Sequence, residues 1–374
     1  MEKEKKYECD MTVVLIAYWI IVLLGKVIRY TILKDTLVNM SIGNGWLGRL
    51  SSGSNHFIFN LKGESVASEN SIALFQIFRF VGLTNYVDYE FAISIIWNII
   101  FFNILLSLKN KISIFNMFFL IMSIAVLNIW DFCLAKEPLQ MLYFLIIYFI
   151  LISTKIKEKY KFGLALLVIL LSCFTFRNYY IMILAFSTLT YVFIEKYLLK
   201  KEKITSLDLI KILIAFAIIY ILVILYSKNF NTEAYNSFIY FNKRVTKAKT
   251  DLSWTFHSDN LFIMSIDYII LVLRMLFPIE ILSLGIKYWF YAIYQVMISI
   301  ITIKSLLNIK NNNKIKMYAI YVYIGFLFTS ATFEPDFGSW VRHEAVLVPI
   351  IIIMADLLEE KKTEKTELGE SSNE

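Results

Sequence analysis

The chain has 374 residues, 58% of them hydrophobic, and a mean hydropathy of +0.64. Its 37 Lys and Arg against 30 Asp and Glu leave a formal net charge of +7. No HExxH, Walker or dinucleotide fingerprint is present, and the surplus lysine sits in short loops between apolar runs; a soluble nucleotide-driven domain and a nucleic-acid partner are thereby excluded.

Apolar runs near bilayer-crossing length recur from end to end, so the chain reads as an all-α polytopic membrane protein with about ten transmembrane helices and two large external segments holding re-entrant or interfacial helices. In order, spans are expected at 12–33, 87–107, 112–130, 138–154, 162–176, 178–194, 209–226, 288–307, 317–332 and 345–358. The first is too long for a signal-peptide core and lacks a small-residue cleavage site, so it is expected to stay as an anchor. Residues 1–11 and 359–374 read as cytosolic tails around a single membrane domain, 12–358.

Orientation follows from the charged loops. The N-terminal tail, Lys109 with Lys111, Lys155 to Lys161, Lys196 to Lys211, Lys304 to Lys316 and the C-terminal tail hold 21 of the 37 basic residues, every one lysine, and with ten spans all six segments face the cytosol. The segments 34–86, 131–137, the Arg177 turn, 227–287 and 333–344 then face outward. All seven arginines (29, 49, 79, 177, 244, 274 and 342) fall on or near that outer face. Arginine pairs bidentately with phosphate or carboxylate, so the segregation points to an anionic ligand; a general lysine preference is the alternative account.

Two outer stretches carry structure of their own. Residues 68–83 read as a short surface helix with Phe75, Phe78 and Phe80 at the interface and Arg79 at headgroup level. Residues 261–284 are apolar enough to cross, yet a crossing would place the Lys310 to Lys316 loop outside, so they are expected to be re-entrant or to lie at the outer surface. Asp267, Arg274, Pro278 and Glu280 suit a backbone lining a polar cavity. The rest of the two large segments is rich in Ser, Asn, Gly and aromatics, which suits sugar rings and equally suits polar loops beside an aromatic belt. Cys9, Cys133 and Cys173 show neither metal spacing nor a pairing pattern.

Three span ends concentrate polar chemistry. Lys136 and Glu137 precede Pro138 at a helix start, a good anion site; Glu137 is either a general base or a first-turn carboxylate paired with Lys136. Arg177 occupies the tightest outer turn, FTFRNYY. The run FEPDFGSWVRHEAVLVPI crowds Glu334, Asp336, Arg342, His343 and Glu344 ahead of the last span. His343 suits a proton shuttle near neutral pH, although it and Glu344 diverge on a helix.

At these residues the chain resembles the Wzy-type bacterial polysaccharide polymerases and the related exopolysaccharide polymerases: the Lys136-Glu137-Pro138 span start, the Arg177 turn between paired spans, and an arginine followed by a proline in Gly338 to Pro349. The FRNYY turn departs from that pattern in having no proline after the arginine. The resemblance implies a polymerase in the bacterial cell membrane, working at the outer leaflet on undecaprenyl-diphosphate-linked oligosaccharide, with membrane lipid around it and a chain-length regulator and a flippase as partners. It implies Lys136, Arg177, Arg274 and Arg342 as ligands of the diphosphate. The base is one of Glu137, Glu334, Asp336 and His343, and the residues do not choose among them. No Asp and Glu pair is spaced for a divalent metal, so no cofactor and no metal are expected. Two rival readings are a polyprenyl-phosphate-sugar transferase using Asp35 and a flippase for the same lipid-linked glycan. A ligase would share nearly every feature.

Overall fold

The computed structural model describes residues 8–34, 66–83, 86–201, 205–230, 250–334 and 336–359. Asp35, Arg49, Arg244, the Ser, Asn and aromatic stretches at 35–65 and 231–249, the N-terminal lysines and the C-terminal tail from 360 lie outside these residues, as do the side chains of Arg79 and Phe80.

A short strand, β1 (Glu8–Asp10), leads into α1 (Met11–Thr31), whose first turn is capped by Asp10 accepting the Thr12 N–H at 2.8 Å. Next come α2 (Val66–Phe75), α3 (Tyr86–Leu106), β2 (Lys111–Ser113) and α4 (Ile114–Val126), which continues through one wide turn to Asp131. They are followed by α5 (Glu137–Ile152), α6 (Glu158–Thr175), α7 (Ile181–Phe193), α8 (Ser206–Phe230), α9 (Leu261–Leu276), α10 (Ile286–Leu307) and α11 (Lys314–Phe333). Two short helices close the described chain, α12 (Phe337–Ala345) and α13 (Val348–Met354).

Each expected span coincides with a helix. Among the described residues six helices are long and apolar enough to cross a membrane, Met11–Thr31, Val87–Leu106, Ile114–Asp131, Asn178–Leu198, Tyr288–Leu307 and Lys314–Phe333. The last expected span differs in form. It is a broken pair in which α12 and α13 meet at 71°, and counting it as one span makes seven. Pro349 explains the break: it lies in the first turn of α13, where its missing N–H costs nothing, and it cannot continue α12. The outer segment 333–344 is thus mostly the helix α12.

Of the two predicted outer helices, the first is more buried than expected at Phe75, and both pack against the bundle. Asn70, Ser71, Ile72 and Phe75 of α2 are buried, and Asn70 Nδ2 donates to the Thr175 carbonyl at 2.5 Å, one of the four carbonyls that the end of α6 leaves unpaired. Satisfying that carbonyl holds α2 against the bundle. Helix α9 packs into the bundle as well: the Tyr268 ring stacks on Tyr220 at 4.0 Å between centroids and its hydroxyl donates to the Phe328 carbonyl of α11 at 2.6 Å.

The short-loop lysines gather at one end, and the arginines of the bundle, with Lys26 and Lys136 among them, at the other. At one end β1 pairs antiparallel with β2, Lys109 forms an ion pair with Asp356 at 3.2 Å, Lys161 Nζ donates to the Leu151 carbonyl at 2.6 Å, and Lys314 pairs with Glu195 at 3.0 Å. At the other end lie Arg29, Arg177 and Arg342. Between them α11 forms the axis, with every residue from Met317 to Thr332 buried. Ile16, Ile20 and Leu23 of α1 and Ile214, Ile218 and Leu222 of α8 are exposed, as suits lipid-facing surfaces.

Helices α7 and α11 approach most closely at Gly325. A Cβ there would stand 2.8 Å from both the Ile183 carbonyl oxygen and the Ser187 nitrogen, so only hydrogen fits. Gly325→Val is expected to destabilise the bundle by about 1–3 kcal/mol through overpacking. Thermal unfolding in detergent would show a lowered midpoint, and an unchanged midpoint would refute the close approach.

Candidate functional site

The arginine end holds a network of buried charge built from four chain segments. Pro138 opens α5 and places Lys136 at the helix cap with Glu137 as first helical residue. Asp336 caps α12 by accepting from the Ser339 N–H and hydroxyl, both at 2.9 Å, which fixes the start of that helix and aims Arg342 and His343 at α5. Glu334 follows the end of α11, and Arg177 lies between α6 and α7.

His343 is the junction. Its Nδ1 lies 2.8 Å from Glu334 Oε1 and its Nε2 lies 3.4 Å from Glu137 Oε1. Glu137 Oε1 also meets Arg342 Nε at 3.0 Å, and Arg177 Nη2 approaches His343 Nε2 at 3.4 Å. Both carboxylates and the imidazole are buried. Glu334 is within hydrogen-bond distance of Nδ1, whereas Glu137 Oε1 faces Nε2 from just beyond it and accepts no hydrogen bond among the described residues, so a carboxylate stands at each ring nitrogen and a shortening at Nε2 would complete a proton path between them.

Around this line the cations are incompletely paired. Arg177 donates to the Tyr179 hydroxyl and lies over the Phe176 and Tyr179 rings, each 5.4 Å from the guanidinium carbon, but touches no carboxylate among the described residues. The Lys136 ammonium makes no hydrogen bond or ion pair among the described residues, although it lies within electrostatic reach of Arg177, Glu137, Arg342 and Glu334. The terminal nitrogens of Arg342 likewise have no partner there, and its side chain keeps 31% of its exposure. Lys136, Arg177 and Arg342 are each half-buried, whereas Glu137 and Glu334 are buried, so among the described residues the positive charge of this cluster is on its more accessible side.

Burial pulls the Lys136 ammonium down to about 8, with the neighbouring Arg177 charge adding to the effect. Burial would raise the Glu334 carboxyl, but the His343 contact together with Arg177 and Lys136 outweighs it and holds that carboxyl below its usual range.

Thus Lys136, Glu137, Arg177, Glu334, Arg342 and His343 come together, whereas Asp336 and Arg274 do other work. Asp336 is a helix cap. Arg274 grips Glu280 Oε1 and Oε2, each 3.0 Å from Nε, and donates to the Ser253 carbonyl at 2.8 Å and the Asp251 carbonyl at 2.9 Å. Asp267 accepts the Thr255 and Phe256 N–H groups at 3.0 and 3.1 Å. The charges that suggested a polar cavity are spent in folding residues 250–284 onto α9. Among the described residues no three His, Cys, Asp or Glu side chains are placed to hold a metal ion.

The network extends to residues that sequence reasoning left out. Arg29 Nε meets Glu90 Oε1 at 2.5 Å and its Nη1 donates to the Ile129 carbonyl at 2.8 Å, while Lys26 Nζ donates to the Phe132 carbonyl at 2.5 Å. Asp131 is fully buried within reach of Glu137, Arg342, Arg29 and Lys26, and neither of its carboxyl oxygens accepts a hydrogen bond among the described residues. The signal was present in the spacing: Lys26 and Arg29 are three apart on one helix face, and Glu90 lies just inside the facing span. No family model, curated protein or solved structure matches the chain.

Anion binding at this site is expected to weaken as pH rises through about 8, because Lys136 loses its charge there. Lys136→Arg should move that limb to higher pH, and calorimetric titration with inorganic pyrophosphate would measure both. Arg29→Ala, which leaves Glu90 buried and unpaired, is expected to cost about 3–5 kcal/mol in denaturant unfolding. A loss below 1 kcal/mol would show that the pair is not carrying the junction of α1 and α3.

Proposed function

We propose that the protein is a polysaccharide polymerase that joins oligosaccharide repeat units carried on undecaprenyl diphosphate, at the outer leaflet of a bacterial cell membrane. The observation that carries this reading is a buried Glu-His-Glu line set against cations with unpaired donors. A transfer from a lipid diphosphate needs both parts, a proton acceptor for the attacking hydroxyl and fixed positive charge for the departing diphosphate.

In the proposed step the acceptor sugar hydroxyl loses its proton to Glu137 or to Nε2 of His343, and Glu334 stabilises the imidazolium through Nδ1. The hydroxyl oxygen attacks the anomeric carbon of the donor glycan as its bond to the diphosphate oxygen breaks. The diphosphate leaves with the bonding electrons onto Lys136, Arg177 and the outer edge of Arg342. No soluble nucleotide sugar enters, and no metal is invoked. Ten crossings, with the lysine end in the cytosol and the large segments outside, complete the reading; a flippase and a chain-length regulator are the partners it calls for.

Deleting the gene and sizing the remaining lipid-linked glycans by gel and mass spectrometry tests the reaction class. Single complete repeat units on the carrier, with the polymer ladder gone, are expected. Truncated units would instead identify a single-sugar transferase, and complete units confined to the inner leaflet a flippase. In the restored strain, Arg342→Gln and His343→Gln are each expected to reduce polymer about a hundred- to a thousandfold with membrane insertion unchanged.

A further inference from the structure

Glu344 follows His343 but points the other way, into the bundle. It is fully buried, and its Oε1 accepts from the Tyr323 hydroxyl of α11 at 2.6 Å and from Gln295 Nε2 of α10 at 3.2 Å. Its Oε2 has no hydrogen-bond partner, nor has the Gln295 amide oxygen, and both are buried. No Lys, Arg or His pairs with Glu344 among the described residues.

The groups that face it are Tyr323 from α11 and Tyr294 from α10, with Asp131 beyond Tyr294 at the end of α4. On its own helix Arg342 and His343 are turned toward Glu137. A lone carboxylate here would be an uncompensated charge inside a membrane protein, where ionised groups are strongly disfavoured unless paired. Beside the Tyr294 hydroxyl, which also lacks a partner, the two orphans of Glu344 and Gln295 are both acceptor oxygens, and two acceptors cannot bond without a hydrogen. They belong to two planar groups already joined at one head.

We propose that Glu344 carries a proton and pairs with Gln295 in a two-bond acid–amide ring that positions the site helix. The Gln295 N–H donates to Glu344 Oε1, and the Glu344 Oε2–H donates to the Gln295 carbonyl oxygen. One proton thus satisfies both orphan atoms and removes the charge. The ring fastens α12 to α10, and Tyr323 fastens it to α11, from the face opposite Arg342 and His343. Glu344 is on this account a positioning residue, a role in activity that rests on the function proposed above; its protonation does not.

Infrared difference spectroscopy of wild type against Glu344→Gln, in lipid nanodiscs and heavy water at neutral pH, tests the proton directly. A carboxylic-acid carbonyl band present in wild type and absent in the variant is expected, shifting to higher frequency in Gln295→Ala as its hydrogen bond is lost. Absence of the band would overturn the proposal whatever the protein catalyses. For the positioning role, Glu344→Gln should keep polymer near the wild-type level, because an amide can close the same ring, whereas Glu344→Ala should lose most of it. Loss of polymer in a stably inserted Glu344→Gln protein would overturn that role.

Discussion

Glu137 is a carboxylate taken out of water at the first turn of α5, and its charge must be met by groups that arrive from far along the chain. Arg342 and His343 meet it from α12, which joins two elements more than 200 residues apart in sequence. Removing either partner would strand a buried charge, and that penalty exceeds the net gain from making the pair. The contact therefore acts mainly as a specification. It fixes which face of α12 meets α5, and through His343 it sets the position of Glu334 at the end of α11.

The rest of the arginine end is arranged around that specification. Asp336 starts α12 at the right residue, Pro349 ends its direction, and the close approach at Gly325 sets α11 against α7, which begins just after Arg177. Tyr179 stacks on Phe333 at 4.3 Å between centroids and so ties the Arg177 turn to the end of α11. None of these contacts is chemical in purpose, yet each removes a freedom that would let the imidazole drift from one of its two carboxylates. Rigid support of this kind separates a usable relay from a mere cluster of polar groups.

Much of this was legible in the sequence because hydropathy and lysine placement obey one-dimensional rules. Every expected span coincides with a helix, and the Lys136-Glu137, Arg177 and Arg342-His343 pieces were identified from charge at span ends. What stayed hidden depends on three-dimensional pairing. Arg274 looked like Arg342, a cation in an apolar outer stretch, and only the fold shows that Glu280 and two carbonyls consume its donors. Phe75 read as an interfacial aromatic, but the unpaired carbonyl of Thr175 drew α2 inward and buried it. Arg29 and Glu90 became a pair only once α1 and α3 were side by side.

The ion pairs also imply an order of assembly. Arg29 and Glu90 are separated by 61 residues, so the α1 and α3 partners can meet early as the chain enters the bilayer. Glu137 has the Lys136 ammonium beside it but meets its guanidinium partner only when Arg342 arrives. During that interval its carboxyl is best accommodated at the water boundary or carrying a proton. The end that holds the buried charge network is accordingly among the last regions to become complete, and the Lys109–Asp356 clasp at the opposite end, spanning 247 residues, closes just as late. A half-inserted chain therefore has neither the network nor the clasp, which confines both to fully assembled molecules.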